Sequence, residues 1–258
     1  MTDELLHEVR GETLWITFNR PEARNALTFG MYEALADLCA TVPTDGSIKA
    51  VVISGAGGKA FAAGTDMTQF RGFETAQDAL DYEAEISRVL TAVETCPLPT
   101  VAAIHGACTG GGASIAVACD IRIASAGLKF GFPIARTLGN CLAAENLARL
   151  SELLGPGRVR EMIFTARLIE ADEARAVGLV SEILPDEAAL MARATDLAAT
   201  LAQMAPLTLR ATKEAMRRNR AALSVEDSDL ITMCYMSEDF RHGMEAFLAK
   251  EKPRWSGR

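Results

Sequence analysis

A chain of 258 residues, 49% apolar and 23% charged, can form one large domain with a helical appendage and leaves no room for a long disordered tract. The formal charge of −8 excludes a basic nucleic-acid footprint, and no stretch approaches the roughly 20 apolar residues of a membrane span, so neither nucleic acid nor membrane is an expected partner. Six cysteines without a CxxC pair argue against a zinc site or a disulfide framework, and the acidic start Met1-Thr2-Asp3-Glu4 lacks a secretory pattern; the expectation is a cytoplasmic chain with reduced thiols and no metal.

Leu14 to Phe18 reads as a strand, Asn19-Arg20-Pro21-Glu22 as a turn, and Met31 to Ala40 as a helix with apolar residues at helical spacing. Ala50 to Ser54 is a second strand that runs into the loop Gly55-Ala56-Gly57-Gly58. Strand, crossover helix and strand imply an α/β fold with a parallel, helix-covered sheet. The pattern recurs at Thr100 to Ile104, followed by Gly106, the triple glycine Gly110-Gly111-Gly112 and an apolar helix from Ala113 to Cys119. Ile121 to Ala124 and Leu179 to Leu184 read as further strands, with helices across Leu142 to Leu154 and Arg158 to Thr165. Beyond about Ala199 strand signals stop and good helix formers dominate, which divides the chain into a core over 1–199 and a helical region over 200–258. The apolar residues of that region must be covered by the core or by another subunit.

Neither glycine loop matches a nucleotide site. Gly55 to Ala60 lacks both the GxGxxG spacing and the Ser or Thr after Lys59, and Gly112-Ala113-Ser114-Ile115-Ala116 lacks the second glycine of a hydrolase elbow. No Tyr is followed by Lys four residues on, which excludes a short-chain dehydrogenase. What such loops can do is present backbone N–H groups at helix openings, where an oxyanion is favoured; tight turns or close packing would explain the glycines equally.

Phe61-Ala62-Ala63-Gly64-Thr65-Asp66-Met67 and His105-Gly106-Ala107-Cys108-Thr109-Gly110-Gly111-Gly112 together resemble the two signature loops of the crotonase (enoyl-CoA hydratase/isomerase) superfamily. Asn19-Arg20-Pro21-Glu22-Ala23-Arg24-Asn25-Ala26-Leu27, Gly178-Leu179-Val180 and the final turns from Asp239 to Lys250 extend the resemblance over the whole chain. It implies a ClpP/crotonase-like core of repeated ββα units, a C-terminal helical trimerisation region, and a homotrimer or a hexamer built as a dimer of trimers. It also implies an acyl-CoA thioester as substrate, with no permanently bound cofactor, and an oxyanion hole made by the N–H groups of Ala63 and Gly111. Gly64, Thr65, Asp66 and Gly110 then border the thioester, and Ile134 the acyl group. Ala23, Arg24 and Ala26 are expected along coenzyme A, with Arg24 suited to a phosphate. Phe247 and Lys250 from a neighbouring subunit are candidates for the adenine end; a solvated helix face accounts for Lys250 equally well.

The hydratases of this family place one glutamate two positions after the triple glycine and another after a Phe-Gly-x-Pro stretch. Here those positions are Ser114 and Ile134, the latter following Phe130-Gly131-Phe132-Pro133. Ser114 can hydrogen-bond a water but is no base on its own, and Ile134 can do neither, so hydration by two glutamates is not expected. Glu145, at the start of a helix, is a candidate relocated acid/base, with Arg136 or Asn140 as helpers; a first-turn residue complementing the helix dipole is the competing reading. Other enolate chemistry (decarboxylation, C–C cleavage), thioester hydrolysis, or a thioester-binding protein without turnover stand as alternatives. His105 reads as a packed, hydrogen-bonded histidine, Asp66 as a cap, and Cys108 and Cys141 as unactivated thiols near the presumed pocket.

Overall fold

A computed structural model describes residues 3–222 and 225–258. The apolar strands are buried on both faces, and their alternation divides two cores. Strand β1 (Leu5–Arg10) pairs antiparallel with β2 (Thr13–Phe18), and the sheet continues in parallel through β3 (Ala50–Gly55), β5 (Thr100–Ile104), β7 (Ile121–Ser125) and β10 (Glu182–Leu184). Ile16, Val51, Ile53, Ala102 and Ile104 face the main core; Trp15, Val52, Val101 and Ile123 face the opposite way, onto helix α8 (Glu187–Leu201). This is the period-two signature of a sheet covered on both sides.

Three short strands, β4 (Ala60–Ala62), β6 (Ala107–Thr109) and β8 (Lys129–Gly131), leave the large sheet and pair in parallel in a second one, closed by the antiparallel β9 (Ile169–Glu170). Each follows a large-sheet strand and precedes a helix: α2 (Ala76–Glu94), α3 (Gly111–Ala118), and α4 (Ile134–Thr137) with α5 (Ala144–Leu154). The chain is thus a spiral of ββα units. The expected core boundary near 199 falls inside α8, which belongs to the core because it covers the large sheet.

Three helices follow: α9 (Pro206–Ala221), α10 (Ser228–Tyr235) and α11 (Glu238–Ala249). Helix α9 buries none of its residues, and charged side chains tether it: Lys213 to Asp120 at 2.6 Å and to the Leu98 carbonyl at 3.0 Å, and Arg220 to Glu94, which also holds the buried Arg149 at 3.0 Å. Helices α10 and α11 fold back over α2, α4 and the 3-10 turn Met67–Gly72, burying Ile231, Tyr235 and Phe240 against Met67, Phe70 and Ala79. Leu207, Met216, Leu230 and Met233 remain exposed. No described helix is long and apolar enough to cross a membrane.

Candidate functional site

The two signature loops meet because both end short parallel strands. Strand β4 delivers Ala63-Gly64-Thr65, and β6 delivers Gly110 and Gly111 at the N-terminus of α3. Gly110 takes φ +51°, a conformation that favours glycine, and a Cβ there would stand 3.3 Å from the Gly64 Cα. A Cβ at Gly111 would overlap the Tyr32 hydroxyl and stand 3.2 Å from Thr65 Oγ1, and one at Gly112 would run into the Ala62 carbonyl. Glycine at Gly112 therefore serves close packing, as one of the two sequence readings held, while the backbone at Gly111 stays open.

The N–H groups do not fall as the sequence implied. Ala63 N–H donates to the Arg24 carbonyl at 3.1 Å, so it is not free for a thioester. Leu27 bridges Thr65 in parallel through the groups on either side of it, Leu27 N–H to Gly64 O and Asp66 N–H to Leu27 O, both at 2.8 Å, which leaves the N–H of Thr65 itself out of the bridge. Among the described residues the N–H groups of Gly64, Thr65 and Gly111 donate to no protein acceptor, and of these three residues Thr65 and Gly111 are partly exposed while Gly64 is buried. The correction is one of register: the strand-like bridge to Leu27 consumes alternate backbone groups and leaves Thr65, two residues on from Ala63, beside Gly111.

A chain of hydroxyls borders this pair. Helix α1 (Phe29–Thr41) brings Tyr32, whose hydroxyl lies 2.9 Å from Thr65 Oγ1; Thr65 Oγ1 is in turn 3.0 Å from the Tyr82 hydroxyl on α2. Burial raises the pKa of Tyr32 and Tyr82, so both phenols are neutral. One residue beyond Tyr82, Glu83 is buried, and burial pushes its carboxyl up to about 7 despite a 2.5 Å hydrogen bond from the Tyr235 hydroxyl and the Ala143 N–H directed at it. Asn140 Nδ2 donates to the Tyr235 hydroxyl at 3.2 Å, and the buried Asn140 Oδ1 has no partner. Tyr32, Tyr82, Glu83 and Tyr235 escaped the sequence reading. The Thr75-x-x-Asp78 capping box and the helical spacing of Ile86, Val89, Leu90 and Val93 would have located α2.

The positions vacated by the hydratase glutamates are occupied otherwise. Ser114 is 2% exposed; its hydroxyl donates to the Gly110 carbonyl at 3.3 Å and accepts from Asn146 Nδ2 at 2.8 Å. Ile134 is buried at the start of α4. Glu145 does not reach the site: its carboxylate pairs with Arg149 at 2.6 Å, one turn along α5, and the next residue, Asn146, is the one that faces Ser114. The roughly 100° step between neighbours on a helix turns the carboxylate away, which corrects its expected role.

Asp66 caps the 67–72 turn through Thr68 N–H at 3.0 Å and pairs with Arg20 at 2.9 Å. Burial raises its pKa, yet these bonds from Thr68 and Arg20 outweigh it and hold the carboxyl below its usual value, so Asp66 is committed to the loop rather than open to a ligand. Ala23, Arg24 and Ala26 line the turn before the Leu27 bridge, with Arg24 exposed at φ +52°. Phe247 and Lys250 are exposed near the end of α11. His105 Nε2–H donates to the Gly55 carbonyl at 2.7 Å, as expected of a packed histidine. Burial raises the pKa of Cys108, and that of Cys141 is raised by its neighbour Cys234 and by burial. A cavity of about 760 Å³ between α1 and α2 carries Glu33, Asp37, Asp78, Asp81 and Glu85 against a single Arg88, a poor lining for phosphates.

The sequence matches the profile of the enoyl-CoA hydratase/isomerase family over residues 8–258. The chain belongs to the enoyl-CoA hydratase/isomerase family. Among its relatives, a short-chain-enoyl-CoA hydratase of Clostridium acetobutylicum is 34% identical, over 97% of this chain and 96% of the relative. An enoyl-CoA hydratase/carnithine racemase structure from Magnetospirillum magneticum superposes with a TM-score of 0.80 at 34% identity, covering 100% and 97% of the two chains. A methylmalonyl-CoA decarboxylase in complex with 2-nitronate-propionyl-CoA gives a TM-score of 0.87 at 25% identity, over 100% of both chains. The crotonase superfamily and its mixed α/β fold, inferred from the two loops, are therefore established for this chain.

Proposed function

We propose that the chain binds a coenzyme A thioester and stabilises its enolate, with the carbonyl oxygen between the N–H groups of Thr65 and Gly111. The observation that carries this reading is the pair of N–H groups, on the partly exposed residues Thr65 and Gly111 at abutting loops, that have no protein acceptor among the described residues, one of them at the opening of α3. Two such donors, backed by the positive end of a helix, are each worth about 3 kcal/mol to an oxyanion that forms only during reaction. Family membership supports the thioester as ligand, and no resident cofactor is needed for an enolate held by backbone donors. Gly64 and Gly110 border the thioester, Ile134 the acyl group, and the exposed Arg24 a phosphate of coenzyme A; Ala23 and Ala26 line its path.

The reaction that follows is enolate chemistry without the two hydratase glutamates. Ser114 is bound to Asn146 and Gly110, and Ile134 cannot transfer a proton, so water addition by the two-carboxyl route is not supported. The likeness to a methylmalonyl-CoA decarboxylase supports decarboxylation as the second reading, since that reaction also passes through an enolate. The exposed apolar residues of α9 and α10 support a homotrimer or a dimer of trimers, and Phe247 and Lys250 would then reach the adenine of a neighbouring subunit.

The test is exchange of the α-protons of butyryl-CoA in deuterium oxide, followed by proton NMR. It reads enolate formation whatever the natural acyl group is. Wild-type protein should bind the thioester by calorimetry and exchange its α-protons; binding without exchange would leave a thioester-binding protein and remove the enolate reading.

A further inference from the structure

Helix α2 turns two consecutive side chains inward, and they meet different partners. Tyr82 bonds Thr65, one of the two residues assigned to the oxyanion hole, and so fixes the helix against it at 3.0 Å. Glu83 meets the Tyr235 hydroxyl of α10 at 2.5 Å inside an apolar cluster that includes Met67, Phe70 and Phe240. Among the described residues no cation pairs with Glu83, which sets it apart from the half-buried Glu94 on the same helix, bridged by Arg149 and Arg220. A buried carboxyl with a phenol and no cation is positioned for proton transfer rather than for an ion pair.

The link between α4 and α5 brings a second polar group to this phenol. Asn140, which bonds Tyr235, lies in the link that joins α4 to α5, and α4 begins at Ile134, the position of the second hydratase glutamate. Asn140 Oδ1 is buried and has no hydrogen-bond partner among the described residues, so a donor on a bound ligand or a water beside Tyr235 would satisfy it.

We infer that Tyr235 and Glu83 are the proton-transfer pair of this site, Tyr235 as the catalytic residue and Glu83 as the positioning residue that holds the proton behind it. The inference rests on the enolate reading above. In the forward step the Tyr235 oxygen takes the α-proton as its own phenolic proton passes to the Glu83 carboxylate; the C–H electron pair becomes the enolate double bond, and the carbonyl π pair moves onto the oxygen held by Thr65 and Gly111. Reprotonation is the reverse, so atoms and charge balance without a further reactant. The raised affinity of Glu83 for protons supports this division, because a carboxyl titrating near neutrality can both accept and return a proton. The groups that face Glu83 are Tyr235 and Asp227 from the C-terminal region, Tyr32 from α1, Tyr82 from its own helix and Cys141 from the α4–α5 link.

A purely structural rival exists: Glu83 could serve only as an acceptor for Ala143 N–H at the start of α5. Glu83→Gln separates the two, since the amide oxygen can still accept from Ala143 and from the Tyr235 hydroxyl but cannot take up a proton. In the butyryl-CoA exchange assay, Glu83→Gln and Tyr235→Phe should each lower the α-exchange rate by about 100-fold or more, with thioester binding within about threefold of wild type. The wild-type rate should rise with pH through about 7, the value set for Glu83 by burial, and the Glu83→Gln profile should be flat there. Exchange in Glu83→Gln within about threefold of wild type, with the same pH profile, would make Glu83 a cap alone and overturn the pair. If Glu83→Gln does not fold, Tyr235→Phe decides: exchange at the wild-type rate overturns the pair equally. Wild-type protein that binds butyryl-CoA but does not exchange it would instead remove the enolate reading, and the pair with it.

Discussion

Two helix N-termini stand close to the site and differ in what covers them. Among the described residues, the opening of α3 has Gly110 as its N-cap and no side chain bonded to it, and Gly111 N–H is without a protein acceptor. The opening of α5 likewise has no cap of its own, but Asp227 accepts Ala144 N–H from the chain before α10, and Glu83 faces Ala143 N–H from α2. Unpaired N–H groups at a helix opening concentrate positive potential, and a fold normally neutralises them. At α5 the chain supplies two carboxyls from distant elements. At α3 it supplies none, which is the arrangement a site needs if the negative charge is to arrive with the substrate. The contrast identifies α3 as the opening that receives the ligand's charge and α5 as one met by the chain's own carboxyls, and substitutions at the two should differ in what they do to stability.

The largest effect is expected at α3. In Gly111→Ala the added methyl group meets the Tyr32 hydroxyl, so Tyr32 must leave Thr65 and the backbone of the hole must shift. Turnover or α-exchange should fall by about 100-fold or more, the cost of losing one aligned oxyanion donor, while circular dichroism of the folded chain is retained. Unchanged exchange in this variant would place the oxyanion elsewhere.

At α5 a change in stability and its pH dependence should accompany the loss of exchange expected of Glu83→Gln. Glu83 has a folded-state pKa of about 7 against 4.5 for an unperturbed group, so between those values the folded chain holds a proton that the unfolded chain has released. Stability from this group is therefore lost as pH rises from about 4.5 to about 7, by up to roughly 3 kcal/mol. Glu83→Gln cannot lose it. Urea unfolding at about pH 5 and about pH 8 should show wild type weakening relative to Glu83→Gln as pH rises; parallel curves would mean that Glu83 is not held protonated. Asp227→Ala should cost about 1 kcal/mol at all pH values where the carboxyl is ionised, the usual worth of a cap. Because the Asp227 charge helps to raise Glu83, the same variant should move the Glu83 transition to lower pH.

The sequence made the α3 side of this comparison legible and the α5 side almost invisible. The strands Ala50–Gly55 and Thr100–Ile104 read clearly because both faces are buried, and the triple glycine announced the loop that opens α3. Strands β4, β6 and β8 are only three residues each, too short for any periodicity, so the second sheet went unseen, and with it the alternation that engages Ala63 N–H and frees Thr65. The Glu83–Tyr235 contact joins residues 152 apart in sequence, and nothing local at either position marks it. Glu145 misled for a related reason. A carboxylate in a first helical turn is visible in sequence, but which way it points depends on an arginine four residues later and on the glutamate of another helix.

The smallest predicted effect concerns Ser114, which stands at the first vacated glutamate position and yet belongs to the packing behind the hole. Its hydroxyl is buried between the Gly110 carbonyl and Asn146 Nδ2, so Ser114→Ala leaves the Asn146 amide without its donor's partner in a site where Asn146 Oδ1 already has none. An unmade buried hydrogen bond of this kind costs about 1 kcal/mol, measurable as a lowered urea midpoint. The α3 opening is untouched, because Gly110 and Gly111 keep their backbone geometry, and α-exchange of butyryl-CoA should stay within about threefold of wild type. A loss of exchange as large as that of Gly111→Ala, with stability unchanged, would return Ser114 to the chemistry and break the distinction between a helix opening that receives charge and the side chains that merely support it.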